Sequence, residues 1–369
     1  MIPAIPRLLD PAPWLGYAAT ADGPAVERAM CAAIPGPAEL AALLSPAAGR
    51  ALEAMAERAG ALTRQHFGRT ISLYVPLYLS NYCSGGCAYC GFASDRKTPR
   101  RKLTPEEIDT ELREIKRMGF EEILLLTGER TLQAGFDYLL HAVQQAARHF
   151  HNVTVEAFPM TVDEYRQLGE AGCTGVTLYQ ETYDAAQYDA MHRWGPKRDY
   201  EARLDAPDRA LTAGLRTIGL GSLLGLSAPV PEAISLFLHA GLLRRRFWRS
   251  GLSISFPRLC VEAGGFSAPY PIGEAFLAQM IFAFRICLPD VPLVLSTREG
   301  PRFRDGIAGV GISKMSVASR TTVGGYHEQL PSEHGQFDVN DRRDVDSFCA
   351  MLRGKDLEPV FKNWDAVYR

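Results

Sequence analysis

The chain has 369 residues, 47% of them hydrophobic and 22% charged, with a formal net charge of −2. That balance suits a globular enzyme with a large core, and it excludes a nucleic acid or anionic membrane held by bulk electrostatics. No apolar run approaches the roughly 20 residues of a membrane helix. The start, MIPAIPRLLDPAPW, lacks the basic and apolar blocks of a secretory signal, so a cytoplasmic protein is expected.

Residues 1–70 are rich in Ala, Pro and Leu. Helices are expected over 37–45 and 46–67, the second with Leu52, Met55, Ala59 and Leu62 at helical spacing. This reads as a helical extension that caps the bottom of a larger domain or covers its side. From residue 71 a strand–helix alternation begins. The expected strands are 71–79, 121–127, 153–158, 175–181, 216–225, 252–257, 291–297 and 307–316. Capping boxes at Thr104/Glu107 and Thr161/Glu164 open two of the helices between them. Eight alternations over about 250 residues predict a (β/α)₈ TIM-type barrel over 71–320. Residues 321–369 leave the repeat, carry a helix near 344–353 and read as a cap folded over a barrel face.

Active sites of such barrels lie on the face that receives the strands' C-terminal ends. The loop after the first strand is LYLSNYCSGGCAYCGF, with Cys83, Cys87 and Cys90 in one short span. Thiolates bind soft metals and iron–sulfur clusters. Three ligands leave one iron of a [4Fe–4S] cube open for chemistry. A zinc site with a fourth ligand elsewhere, as in a zinc-stabilised binding protein, and a disulfide with a spare thiol are the alternatives. No second Cys-x₂-Cys knuckle supports zinc. The other five cysteines are scattered singly, as buried thiols are in a reducing compartment.

Cys-x₃-Cys-x-aromatic-Cys, with Tyr89 as the aromatic, resembles the signature of the radical S-adenosylmethionine (SAM) superfamily. The resemblance implies that Cys83, Cys87 and Cys90 hold a [4Fe–4S] cluster, that the open iron chelates SAM, and that Tyr89 lies against its adenine. Further candidates follow at other strand ends. Thr127-Gly128-Glu129 resembles the superfamily's Gly-Gly-Glu motif, which holds the ammonium group of SAM. By the same resemblance Glu181 accepts from the ribose and Arg203 pairs with the SAM carboxylate. Gly219 and Gly221 leave room for the adenosyl group, and Glu156 is a further cofactor candidate.

The patterns YQETY, SFPRL, STRE and EPVFKNWDAVYR look like those of the tyrosine lyases of thiazole biosynthesis, the 2-iminoacetate synthases. This likeness implies cleavage of the Cα–Cβ bond of L-tyrosine to dehydroglycine and p-cresol. Arg298 would hold the tyrosine carboxylate, with Ser316 or Ser319 assisting. Thiazole synthase would be the protein partner, and a flavodoxin or ferredoxin the electron donor. The tryptophan-cleaving indolic acid synthases share the barrel and the STRE-like arginine. The tyrosine lyase of [FeFe]-hydrogenase maturation carries a second C-terminal cysteine triad, whereas this chain has only Cys349 beyond residue 320. One departure from the family is Ser84-Gly85-Gly86, where Asn-Asn or Asn-Asp is common between the first two cysteines.

Overall fold

The computed structural model describes residues 5–260, 265–327 and 335–362. The final residues of the closing EPVFKNWDAVYR pattern lie outside the described residues. Eight parallel strands follow one another around a closed ring: β1 (Thr70–Tyr78), β2 (Glu122–Leu126), β3 (Asn152–Glu156), β4 (Cys173–Thr177), β5 (Thr217–Gly221), β6 (Gly251–Ser255), β7 (Leu293–Leu295) and β8 (Lys314–Ser316). β1 pairs with both β2 and β8, which closes the barrel. The (β/α)₈ barrel expected from the alternation is therefore present.

The strands form where apolar runs can be buried on both faces. In β2, EILLL is buried throughout. Ile123 and Leu125 point outward into the main core, while Leu124 and Leu126 join Tyr74, Tyr78, Phe92 and Val294 inside the ring. The helix Pro105–Arg117 starts at a reciprocal cap. The Thr104 amide donates to Glu107 Oε2 at 2.7 Å, and the Glu107 amide donates to Thr104 Oγ1 at 3.3 Å. Such a cap contributes about 1 kcal/mol. Gly119 then turns the chain at φ 93°, a conformation that glycine adopts without penalty.

Three details differ from the expectations. The helix over 46–67 is two helices, Pro46–Arg50 and Leu52–Phe67. A helix at Pro301–Ile307 was not anticipated. The eighth strand begins only at Lys314, because Gly309 and Gly311 adopt positive φ and break the extended run. Near the N-terminus, helices Pro37–Leu43 and Leu52–Phe67 pack on Pro229–Arg246 and Glu274–Cys287. Gln279 Nε2 donates to the carbonyls of Leu43 and Ser45 at 3.0 and 2.9 Å. These N-terminal helices thus cover the barrel's side.

The segment after β8 starts at the mouth, where Val323 bridges Tyr78. It later forms the helix Val345–Arg353 and a short strand, β9 (Glu358–Val360), parallel to residues 70–72 of β1. It therefore runs from the strands' C-terminal rim to their N-terminal base. At the base, a cavity of about 510 Å³ enters the ring among Tyr74, Glu122, Asn152, Thr154, Ser253 and Lys314.

Candidate active site

The cysteine loop is fixed from several directions before any ligand is considered. The Arg100 guanidinium donates to the carbonyls of Asn81, Phe92 and Ala93 at 2.6, 2.8 and 2.5 Å. Arg193 Nε donates to Gly86 O at 2.9 Å, and the Gly86 amide donates to Trp194 O at 3.0 Å. A Cβ on Gly86 would lie 2.3 Å from the Trp194 ring, and one on Gly195 would lie 2.7 Å from Ser84 O. The unusual Ser-Gly-Gly stretch is thus matched by the segment 193–195 lying directly on it.

The three sulfurs border a shared space. A Cβ on Gly85 would sit 3.6 Å from Cys83 Sγ and 3.8 Å from Cys87 Sγ. Cys83 and Cys90 both pack on the apolar cluster of Tyr78, Phe92 and Leu126, and Cys90 also packs on the cluster that holds Cys87 and Tyr89. The Gly85 and Glu129 amides donate to Cys83 Sγ at 3.4 and 3.3 Å, and Gln336 Nε2 approaches Cys90 Sγ at 3.7 Å. Burial, and then the neighbouring thiols, push Cys83 up to about 11. Burial likewise pushes Cys87 up to about 12, with Lys197 opposing it. Metal ions reverse this preference by stabilising thiolate.

Every cysteine is a free thiol, which removes the disulfide alternative. Three soft donors around a shared space, with N–H groups aimed at their sulfurs, fit a [4Fe–4S] cluster.

Beside the loop lies a buried chain of alternating charges. Glu129 Oε1 meets Arg203 Nη1 at 3.3 Å, Arg203 Nη2 meets Glu181 Oε1 at 3.4 Å, and Glu181 Oε1 accepts from Lys197 Nζ at 2.6 Å. Arg203 Nε also donates to Tyr179 O at 2.8 Å. Burial alone would raise the Glu181 carboxyl, but Lys197 and Arg203 outweigh it and hold the group below the usual carboxylate range. Glu181 adopts φ 71°, a strained backbone for a residue with a side chain. Gly128 is needed for contact within the loop, since a Cβ there would lie 2.5 Å from Tyr82 O.

Tyr89 is buried next to this chain. Its hydroxyl lies 2.7 Å from His192 Nε2, while His192 Nδ1 lies 2.7 Å from Tyr188 O. The carbonyl can only accept, so Nδ1 carries the proton and Tyr89 donates to Nε2. Burial and Lys197 hold His192 down at about 3, which keeps it neutral. Neither His192 nor Lys197 was singled out from the sequence. Tyr89 lies 103 residues from His192 along the chain, and Glu181 meets Lys197 across the helix Ala185–Met191 between them.

Across the mouth, Arg298 follows β7. Its guanidinium stacks 3.4 Å from the centre of the Phe337 ring, and Nη1 donates to Arg258 O at 3.4 Å. Both contacts preset its direction. A cleft of about 310 Å³ reaches it between Arg258, Cys260, Glu299 and Asn340. Ser319 Oγ is buried without a hydrogen-bond partner among the described residues, as are Thr127 Oγ1 and Ser222 Oγ at two other strand ends. Unsatisfied buried hydroxyls are rare and costly. Three of them around one rim suit a polar ligand.

Matches to known proteins agree with this geometry. Residues 77–228 match the Radical SAM superfamily, and 257–358 match the Biotin and Thiamin Synthesis associated domain. The 2-iminoacetate synthase of Salmonella typhimurium is 41% identical over 342 residues, which cover 92% of this chain and 90% of that protein. Its Escherichia coli counterpart is 42% identical over the same shares. The chain belongs to the 2-iminoacetate synthase family.

Among solved structures, HydG, a maturase of the [FeFe]-hydrogenase, superposes with a TM-score of 0.90 at 31% identity, covering 96% of this chain and 80% of that one. Radical SAM enzymes, this family among them, use a [4Fe–4S] cluster and S-adenosylmethionine. Most residues anticipated for that pair stand together at the rim: the three cysteines, Tyr89, Gly128, Glu129, Glu181 and Arg203. Two expectations need correction. Gly219 lies inside the barrel, lining the base cavity, and a Cβ there would be 2.7 Å from Thr177 Oγ1. Its missing side chain accommodates a neighbouring strand. Ser316 accepts from the Thr297 amide at 3.2 Å and is bonded to Tyr74, so it braces β8 against β7 and β1. Glu156 faces the interior without joining the Arg203 chain.

Proposed function

We propose that this chain is a radical SAM tyrosine lyase that splits the Cα–Cβ bond of L-tyrosine to 2-iminoacetate and p-cresol for the thiazole moiety of thiamine. The observation that carries the reading is the pairing of a three-thiol loop and its charge chain on one side of the mouth with Arg298 on the other. When bound, the cluster and SAM supply one-electron cleavage and hydrogen-atom abstraction. The protein binds, orients and shields.

Cys83, Cys87 and Cys90 hold the cluster. Glu129 receives the ammonium of SAM, Arg203 its carboxylate and Glu181 its ribose hydroxyls, while Tyr89 stacks on the adenine. A guanidinium suits a carboxylate as a two-pronged partner. Arg298, held flat by Phe337, grips the tyrosine carboxylate, and the unpaired Ser319 hydroxyl adds a donor. The apolar wall of Tyr78, Leu126 and Phe92 keeps water from the reacting atoms. Thiazole synthase receives the unstable imine, and a flavodoxin or ferredoxin supplies electrons. None of the described helices is long and apolar enough to cross a membrane.

The test uses reconstituted protein under anaerobic conditions with SAM, dithionite and either tyrosine or tryptophan. p-Cresol with glyoxylate, the hydrolysis product of the imine, is expected from tyrosine. An indole product from tryptophan would replace the substrate. 5′-Deoxyadenosine without either product would keep the superfamily chemistry and reject the lyase.

A further inference from the structure

Side chains of β3 alternate between outside and inside. Val153 and Val155 join the outer core, while Asn152 and Thr154 face the base cavity. Glu156 continues the inward row at the strand's rim end. Its carboxylate makes no hydrogen bond or ion pair among the described residues. Glu156 is half-buried, and a partly desolvated acid without a partner is costly and is retained where it serves chemistry.

The groups facing it come from every side. Tyr74 and Tyr78 lie on β1, Tyr179 and Glu181 follow β4, Lys197 and Arg203 lie on the way to β5, and Arg298 follows β7. The cations form two groups. Lys197 and Arg203 are tied to Glu181 on the cluster side, and Arg298 stands on the side that receives a substrate carboxylate. Glu156 thus faces both the cations tied to Glu181 and the Arg298 that the lyase reading gives to the substrate carboxylate.

We propose that Glu156 accepts the proton of the substrate's α-ammonium group. This rests on the lyase reading given above. Hydrogen-atom loss from nitrogen proceeds from the neutral amine, so the ammonium must first shed a proton. The N–H pair stays on nitrogen, the proton passes to Glu156, and no electron changes hands. Burial and the Glu181 carboxylate push Glu156 up to about 7, against Arg298, Lys197 and Arg203. That value suits a base working near neutrality.

The experiment compares wild type, Glu156→Gln and Glu156→Asp in kcat/KM for tyrosine from pH 6 to 9, with cluster absorbance and the KM for SAM recorded for each. Wild type should rise about tenfold per pH unit below 7 and level off above it. Glu156→Gln should fall about 100-fold at neutral pH and keep climbing to pH 9, where solution takes over the deprotonation. Glu156→Asp should restore the plateau in part. Cluster absorbance and the KM for SAM should not change. If Glu156→Gln keeps the wild-type profile, or raises the KM for SAM with an unchanged limiting rate, the proposal falls and the lyase reading stands. A wild type that makes no p-cresol overturns both.

Discussion

The two ends of the barrel both carry buried polar groups, yet they differ in how those groups are satisfied. At the base, polar side chains bond one another. Glu122 pairs with Lys314, Asn152 with Thr174, and Thr154 Oγ1 donates to Ile123 O at 3.2 Å. At the rim, among the described residues, Thr127, Ser222 and Ser319 keep unpaired hydroxyls and Glu156 has no partner, and Glu181 holds a strained backbone. The base has the cavity of about 510 Å³, whereas the cleft beside Arg298 is about 310 Å³. Volume alone would choose the wrong end. Unspent hydrogen-bonding capacity and stored strain choose the right one.

The largest effect should come from the loop. Replacing Cys83, Cys87 or Cys90 with Ala should abolish cluster absorbance and all SAM cleavage, read by iron content and 5′-deoxyadenosine. Arg203→Leu should rank next. It leaves Glu129 buried without its cation and Glu181 with Lys197 alone, which costs about 3–5 kcal/mol in urea unfolding. Arg298→Ala should lower kcat/KM for tyrosine by about 100-fold, near 2.7 kcal/mol, with cluster absorbance intact. Loss of the cluster in that variant would contradict the assigned role.

Glu156→Gln should act in the opposite sense on stability. The folded carboxyl titrates near 7, above its unfolded value, so ionisation opposes folding. That cost is fully present above pH 7 and fades as pH falls toward the unfolded value. The variant should therefore be more stable at pH 8, on the order of 1–3 kcal/mol by thermal melting without ligands, and gain little near pH 4.5. At the base, Ser253→Ala should change stability by only about 0.5 kcal/mol and leave turnover within about twofold. A large loss of turnover there would erase the distinction between the two ends.

The barrel was legible because parallel strands buried on both faces leave continuous apolar runs, and because capping boxes at Thr104 and Thr161 mark where helices begin. Strand ends were overextended where glycine or short β7 and β8 pairings stop the ladder, as at Gly309 and Gly311. The cysteine loop could be read from spacing alone, since its ligands are local. His192, Lys197, Phe337 and Gln336 could not. Lys197 reaches Glu181 only after the intervening helix turns the chain back, and the other three act on residues distant in the chain that the folded barrel brings to them. Ser316 misled because a hydroxyl at a strand end reads the same whether it braces a neighbour or meets a substrate.

The stretch after β8 supplies Gln336 to Cys90 and Phe337 to Arg298 before ending in β9 on the base of β1. Ribosomes make it after every strand of the ring. One late stretch of chain therefore ties the thiol loop, the substrate-side arginine and the foot of the first strand together, so a truncation before residue 335 would strip both sides of the mouth at once.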